Sequence, residues 1–169
     1  TGKKIKKTTL VYFALPEYAV YLASIPVGLY LPLVYSKDLG LSLTEIGLVL
    51  MLARVSDVIT DPLIGALSDR TKSRFGKRKP WIAGGTLLMM LSAFQLFNPE
   101  ALNQMPITKW YLLGWSVLLW LGWTMINIPY YAWGAELSDD YYERTNITGW
   151  RQAFGFLGNV SVLFIPVAA

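Results

Sequence analysis

Long apolar stretches alternate with short polar segments along the chain. Five stretches approach or exceed the roughly 20 residues that a helix needs to cross the hydrocarbon core of a bilayer. They lie at about 9–35, 42–68, 80–97, 109–133 and 148–169. Ser42 and Glu45 form a capping-box pattern at the start of the second stretch, and Pro80 occupies a first-turn position in the third. The pattern predicts an all-α membrane protein with about five transmembrane helices.

The composition of the 169 residues supports this class. Hydrophobic residues make up 54% and charged residues 15%, whereas soluble proteins contain about 25% charged residues. The net charge of +4 does not indicate a nucleic acid partner, because the basic residues cluster at predicted membrane boundaries and no soluble basic surface is present. The chain lacks cysteine and histidine, which excludes thiolate and imidazole chemistry. No pattern indicates an enzyme or an organic cofactor.

Lys and Arg are unequally distributed between the two sets of loops, which predicts the orientation. With a cytoplasmic N-terminus, the opposite side of the membrane receives only Lys37 and Lys109. The cytoplasmic side then holds eleven basic residues: Lys3, Lys4, Lys6, Lys7, Arg70, Lys72, Arg74, Lys77, Arg78, Lys79 and Arg144. We therefore expect an integral membrane protein that is surrounded by lipid and has its N-terminus inside.

Three charged residues interrupt the apolar second stretch. Arg54, Asp57 and Asp61 are spaced by three and then four residues, which places them on one stripe of a helix. An ionised side chain at the bilayer centre costs about 2.5–3.5 kcal/mol, so these groups must face protein, one another or a bound ion. One Arg cannot neutralise two carboxylates, which favours a cation site at Asp57 and Asp61. The alternative is a structural ion pair between Arg54 and Asp57, with Asp61 paired elsewhere.

The segment after the second stretch carries a family motif. Residues 65–79 read Gly-Ala-Leu-Ser-Asp-Arg-Thr-Lys-Ser-Arg-Phe-Gly-Lys-Arg-Lys and resemble the loop between helices two and three of the major facilitator superfamily. Within that superfamily, five patterns are similar to the glycoside–pentoside–hexuronide:cation symporters. These are Asp57-x-x-x-Asp61-Pro62, Ser73-Arg74-Phe75-Gly76-Lys77, Lys79-Pro80-Trp81, Asn127-Ile128-Pro129-Tyr130-Tyr131, and Glu143-Arg144-Thr145 followed by Arg151.

The resemblance implies a secondary active transporter that carries out symport of a sugar with Na⁺, Li⁺ or H⁺ by alternating access. Family members have twelve helices in two halves, so residues 1–169 are expected to form most of the N-terminal half, completed by a C-terminal half or by partner chains. Cation binding is implied for Asp57, Asp61, Thr124 and Asn127. Substrate binding is implied for Glu17, Asn127, Tyr131 and Arg151. No metal is expected beyond a possible Na⁺ at the two aspartates.

Two site positions depart from the family pattern. Asn127 stands where the family carries an acid, and Tyr131 stands where it carries a Trp that stacks on sugar. The amide of Asn127 keeps hydrogen-bonding capacity but brings no charge. A packing role is the alternative for Tyr131, because the chain contains 7 Trp and 10 Tyr.

A conformational charge network is the third set of residues that the resemblance implies. Its members are Arg54, Asp69, Arg70, Arg74, Lys77, Arg78 and Arg144. The alternative is a basic loop that only fixes topology and contacts anionic lipid. Two other functions also stay open: a lysophospholipid carrier of the same family, and a non-transporting structural subunit or half-carrier in a larger membrane complex.

Overall fold

The computed structural model describes residues 5–37, 40–99 and 108–164, and these residues form helices and turns without any strand. The predicted all-α class is confirmed. The helices are α1 (Lys7–Ile25), α2 (Leu31–Lys37), α3 (Leu43–Val55), α4 (Asp57–Arg70), α5 (Lys79–Phe97), α6 (Lys109–Glu136) and α7 (Tyr141–Phe164), with a π-helical segment, Pro26–Tyr30, between α1 and α2. The predictions for Lys3, Lys4 and residues 165–169 lie outside the described residues.

Three of the five predicted stretches form helices that are long and apolar enough to cross a membrane. They are Lys7–Lys37, Lys79–Phe97 and Lys109–Glu136. The other two stretches are helical but do not meet this criterion within the described residues. A turn divides the second into α3 and α4, of 13 and 14 residues. Polar residues, including Arg151, Gln152 and Asn159, lower the mean hydropathy of α7.

The predicted helix starts at Ser42 and Pro80 are confirmed, and the structure adds a break between them. The Ser42 hydroxyl accepts a hydrogen bond from the backbone N–H of Glu45, and the Glu45 carboxylate accepts one from the Ser42 N–H. The break lies at Ser56, whose hydroxyl donates to the Ala53 carbonyl at 2.6 Å. Bonds of this kind bend helices. Asp57 consequently lies in the first turn of α4, where the helix dipole favours a carboxylate.

Helix α7 begins at Tyr141, seven residues before the predicted start near 148. The Asp140 carboxylate caps it by accepting hydrogen bonds from the backbone N–H groups of Tyr142 and Glu143 at 2.8 and 3.1 Å. An Asp followed three residues later by Glu is itself a helix-start pattern. The segment expected to be a loop up to residue 147 is therefore helical in its second half.

The described residues fall into two compact units: those up to residue 30 together with those from 133 onward, and those between 31 and 132. In the first unit α1 packs against α7. Gly155 faces the Tyr21 ring, and a Cβ built on Gly158 would lie 2.5 Å from the Tyr18 carbonyl oxygen. The Tyr18 hydroxyl also donates to Ser161 Oγ at 3.1 Å. Small residues thus allow the two backbones to approach closely, as in membrane helix pairs.

In the second unit α5 packs against α6 through a pair of glycines. A Cβ on Gly85 would lie 2.8 Å from the Gly122 carbonyl oxygen, and a Cβ on Gly122 would lie 2.9 Å from the Gly85 carbonyl oxygen and from the Met89 nitrogen. Further along the same interface, Tyr111 OH donates to the Gln95 carbonyl at 2.8 Å. The backbones therefore touch where both side chains are hydrogen atoms.

We expect Gly122→Ala to lower the stability of the protein by about 1–3 kcal/mol, because the added methyl group has no space between two backbones. The measurement is the thermal unfolding midpoint of the complete protein in detergent. Gly114→Ala is the matched control, since Gly114 lies on the same helix with nothing within 4 Å of its added Cβ. Equal midpoints for the two variants would contradict close packing at Gly122.

Candidate cation and substrate sites

In the second unit, the end of α3 and helix α4 present polar side chains to α6. The Arg54 guanidinium lies over the Trp120 ring, Asp61 accepts from Thr124, and Gly65 lies against Ile128. Along these three contacts the residue numbers increase in the same direction on both sides, so the segment from Arg54 through α4 runs parallel to α6. The face that carries Asp57 and Asp61 therefore points at α6.

Asp61 and Thr124 form the direct contact of this face. Thr124 Oγ1 donates a hydrogen bond to Asp61 Oδ1 at 2.9 Å, across 63 residues of sequence. Thr124 is only 3% exposed. The sequence placed both residues in the cation site, and the structure brings them together. A carboxylate beside a hydroxyl oxygen is the type of oxygen set that hard cations bind.

Asp57 is held by Arg54 one turn before Asp61. Arg54 Nη1 donates to Asp57 Oδ2 at 3.1 Å. The second oxygen of the same carboxylate, Oδ1, is buried and has no hydrogen-bond partner among the described residues. The charge of Asp57 is therefore balanced by Arg54 through Oδ2, while Oδ1 still offers an acceptor. Counting Arg54, Asp57 and Asp61 as ionised, the cluster has a net charge of −1.

Asn127 lies one turn after Thr124 on α6 and is 4% exposed. Its Nδ2 donates to the Trp123 carbonyl at 3.0 Å. Its Oδ1 is buried without a hydrogen-bond partner in the described part of the chain. With the amide N–H₂ group bound to its own helix, Asn127 presents an acceptor oxygen.

Thr60 is a candidate oxygen ligand of the cation site that the sequence alone did not reveal. It lies one turn after Asp57 and next to Asp61, and its Oγ1 is buried with no hydrogen-bond partner within the described ranges. Threonine is common in membrane helices and usually bonds to a carbonyl of its own helix, so its presence carries little signal in the sequence. Only the structure shows that this hydroxyl has no hydrogen-bond partner among the described residues.

Glu17 and Arg151 form an ion pair in the first unit. Arg151 Nε lies 3.5 Å from Glu17 Oε1, with the Glu17 side chain fully buried and the Arg151 side chain 15% exposed. Gly155 lies one turn after Arg151, and its added Cβ would be 3.3 Å from Glu17 Cγ. Glycine thus makes room for the carboxylate between α1 and α7.

Tyr131 is the aromatic candidate for substrate stacking. It follows Asn127 by one turn on α6, and 37% of its surface is exposed. Its ring lies 5.8 Å from that of the buried Tyr130, at a tilted angle. The substrate candidates thus occur as two local pairs, Asn127 with Tyr131 in the second unit and Glu17 with Arg151 in the first.

Comparison with known proteins identifies the family. A family model described as MFS/sugar transport protein matches residues 12–169. The chain belongs to this family of the major facilitator superfamily. The predicted resemblance to its glycoside–pentoside–hexuronide:cation symporters is confirmed. Together with the three long apolar helices, the match identifies an integral membrane protein.

Three relatives illustrate the similarity. A Synechocystis protein named uncharacterized symporter sll1374 is 30% identical over 176 residues, which cover 100% of this chain and 32% of the relative. The isoprimeverose transporter of Lactiplantibacillus pentosus is 25% identical over 164 residues, 93% of this chain and 33% of the relative. The sodium-dependent lysophosphatidylcholine symporter 1-B of Danio rerio is 31% identical over 114 residues, 67% of this chain and 21% of the relative. The chain spans about a third or less of each relative.

The loop motif of the MFS family folds back on the end of α4. Arg78 lies 2.6 Å from Asp69 Oδ1 and donates a second bond to Ser68 Oγ at 3.2 Å. Trp81 Nε1 donates to Thr71 Oγ1 at 2.8 Å. Gly76 has a φ of +96°, which lets the loop reverse between these contacts. Arg78 is therefore a buried anchor of this loop.

The other members predicted for the charge network lie elsewhere. Arg70, Arg74 and Lys77 are exposed, and the ion pairs found among the described residues do not include them. Arg144 lies 3.7 Å from Asp139 and donates to the Ser138 carbonyl at 2.7 Å, at the start of α7. Arg54 pairs with Asp57. Of the seven predicted members, Asp69 and Arg78 are directly paired with each other.

Proposed function

We propose that this chain contributes the cation site and part of the substrate site of a sugar:cation symporter. The proposal depends on the hydrogen bond between Asp61 and Thr124, one turn from the Asp57 carboxylate that pairs with Arg54. A membrane carrier has to compensate the remaining negative charge of the cluster when the site closes off from water within the low-dielectric protein interior. One monovalent cation, Na⁺, Li⁺ or H⁺, provides that compensation. The relatives named as symporters support cation-coupled transport.

The oxygens around the cluster favour a monovalent ion. Among the described residues, no group of three or more Asp or Glu side chains surrounds a common point. Asp57 and Asp61 therefore act with neutral oxygens, from Thr124, Asn127 and the newly identified Thr60. A set of two carboxylates, one of them paired with Arg54, suits a singly charged ion better than a divalent one, which takes six or more oxygens.

The substrate candidates have the chemistry that sugars require. A sugar presents an apolar ring face and many hydroxyl groups, so it is bound by an aromatic platform together with charged hydrogen-bonding groups. Within the second unit, Tyr131 supplies a partly exposed ring and Asn127 an acceptor oxygen. Within the first unit, Arg151 supplies a guanidinium and Glu17 a carboxylate. The isoprimeverose transporter among the relatives supports a sugar substrate.

In the proposed cycle, cation binding at Asp57 and Asp61 organises the substrate site, and the loaded carrier alternates between its two open states. Each ligand then strengthens binding of the other by the same factor. Residues 1–169 would form most of an N-terminal helix bundle in a bacterial inner membrane, with the N-terminus cytoplasmic. The remaining helices would come from a C-terminal half or from partner chains.

The deciding experiment measures Na⁺ uptake into vesicles that contain the complete protein, with a panel of glycosides and with lysophosphatidylcholine. Na⁺ uptake stimulated by a glycoside supports the proposal. Stimulation by the lysolipid alone would assign the lysophospholipid function that the Danio rerio relative carries in its name. If no substrate of either class stimulates Na⁺ or H⁺ movement, the structural-subunit alternative replaces transport.

We expect Tyr131→Ala to weaken sugar binding by about tenfold, because the sugar loses its stacking face. Membrane insertion should be unaffected, since the Tyr131 ring is partly exposed. Substrate half-saturation in the uptake assay is the measurement. Tyr131→Trp should bind sugar at least as well as the wild type, because it enlarges the face. Unchanged affinity in Tyr131→Ala would assign this residue to packing.

A further inference from the structure

Trp120 contacts the cation cluster without being a possible ion ligand. The Arg54 guanidinium carbon lies 3.5 Å from the centre of the Trp120 ring, while Nη1 of the same guanidinium donates to Asp57. We propose that Trp120 is a positioning residue that holds Arg54 against Asp57, and so sets how tightly the coupling cation binds. This inference rests on the proposed cation site and adds a determinant of its affinity.

The geometry restricts Arg54 from two sides. Its guanidinium lies between a carboxylate and an indole face, two kinds of group that bind a guanidinium well. The Trp120 ring is itself supported by an edge contact with Trp123, at 5.8 Å between ring centres. The indole N–H of Trp120 has no hydrogen-bond partner among the described residues, so its interaction with the Arg54 guanidinium is made by the ring face.

Arg54 needs this restraint because its side chain is long and 54% exposed. An exposed ion pair between neighbouring turns contributes little by itself, since ordering a long side chain costs entropy. A guanidinium stacked on Trp gains further stabilisation, and its planar shape suits the ring face. Without Trp120, Arg54 would leave Asp57 for part of the time.

Loss of the contact between Trp120 and Arg54 changes the net charge at the cation site. With Arg54 in place, the two carboxylates and one guanidinium give a net charge of −1. With Arg54 away, the local charge approaches −2, and a monovalent cation binds more strongly. Trp120 therefore keeps the cation affinity low enough for the ion to be released after each transport cycle.

The test compares Na⁺ half-saturation of substrate uptake by the complete protein carrying Trp120→Leu, Arg54→Gln or both changes. We expect Trp120→Leu to lower the half-saturating Na⁺ concentration by about two- to fivefold, and Arg54→Gln to lower it at least as much. In the Arg54→Gln background, Trp120→Leu should have no further effect, because the two residues act as one unit. Trp120→Phe keeps an aromatic face, so its half-saturating Na⁺ concentration should be close to that of the wild type.

Trp115→Leu is the matched control, because Trp115 lies on the same helix and packs on Tyr111. It should leave the half-saturating Na⁺ concentration unchanged. If Trp120→Leu fails to insert, Trp120→Met, which keeps apolar volume, replaces it. An unchanged Na⁺ response in the Trp120 variants, or an equal shift with and without Arg54, overturns the inference. The cation site itself fails separately, if Asp61→Asn still accumulates substrate against its gradient.

Discussion

Asp61→Asn is expected to abolish cation-driven accumulation of substrate. The substitution removes one negative charge from the cluster of Arg54, Asp57 and Asp61, so the remaining ion pair is neutral and attracts no cation. The Asn amide can still accept the Thr124 hydrogen bond, which preserves the contact between α4 and α6. Because substrate and cation binding are coupled, the steady-state accumulation ratio should fall to about one. Downhill entry of substrate should persist.

Glu45→Gln is the matched control for this prediction. Glu45 is a partly exposed acid at the start of α3, and glutamine also serves in a capping box. The control variant should accumulate substrate as the wild type does. Uptake of labelled substrate against its gradient, driven by an imposed Na⁺ or H⁺ gradient, is the measurement. Full uphill uptake by Asp61→Asn would remove Asp61 from the cation site.

The helices were largely predictable because their signals are local. Apolar runs of membrane length mark Lys7–Lys37, Lys79–Phe97 and Lys109–Glu136, and the Ser42–Glu45 pair marks the start of α3. The break at Ser56 was missed, because a single hydroxyl that bonds back to Ala53 leaves the apolar pattern unchanged. The early start of α7 was missed because the charged residues 136–144 resemble a solvated loop, although Asp140 caps the helix.

The site was predictable only in part. The spacing of Arg54, Asp57 and Asp61 indicates one helix face, and the family motif adds Thr124. Neither signal locates Trp120, since a tryptophan in a span that contains several has no distinguishing pattern. Its role depends on the parallel alignment of α4 with α6, which is a tertiary property. Buried oxygens such as Thr60 Oγ1 are likewise visible only once the packing is known.

Arg151→Ala is expected to produce the largest loss of stability. The Glu17 side chain is fully buried, and its ion pair with Arg151 compensates its charge. Removing one partner of a buried pair typically costs about 3–5 kcal/mol, because the other charge is left in a low-dielectric environment. The measurements are the unfolding midpoint of the complete protein in detergent and the affinity for sugar.

The double variant Glu17→Gln with Arg151→Ala separates folding from recognition. Glutamine removes the buried charge, so the double variant should regain most of the stability that Arg151→Ala loses. If Arg151 also binds substrate, sugar affinity should stay low in the double variant, because the guanidinium that donates to sugar hydroxyls is still absent. Recovery of both stability and sugar affinity would limit Glu17 and Arg151 to holding α1 against α7. Recovery of stability alone would place the Glu17–Arg151 pair in the substrate site.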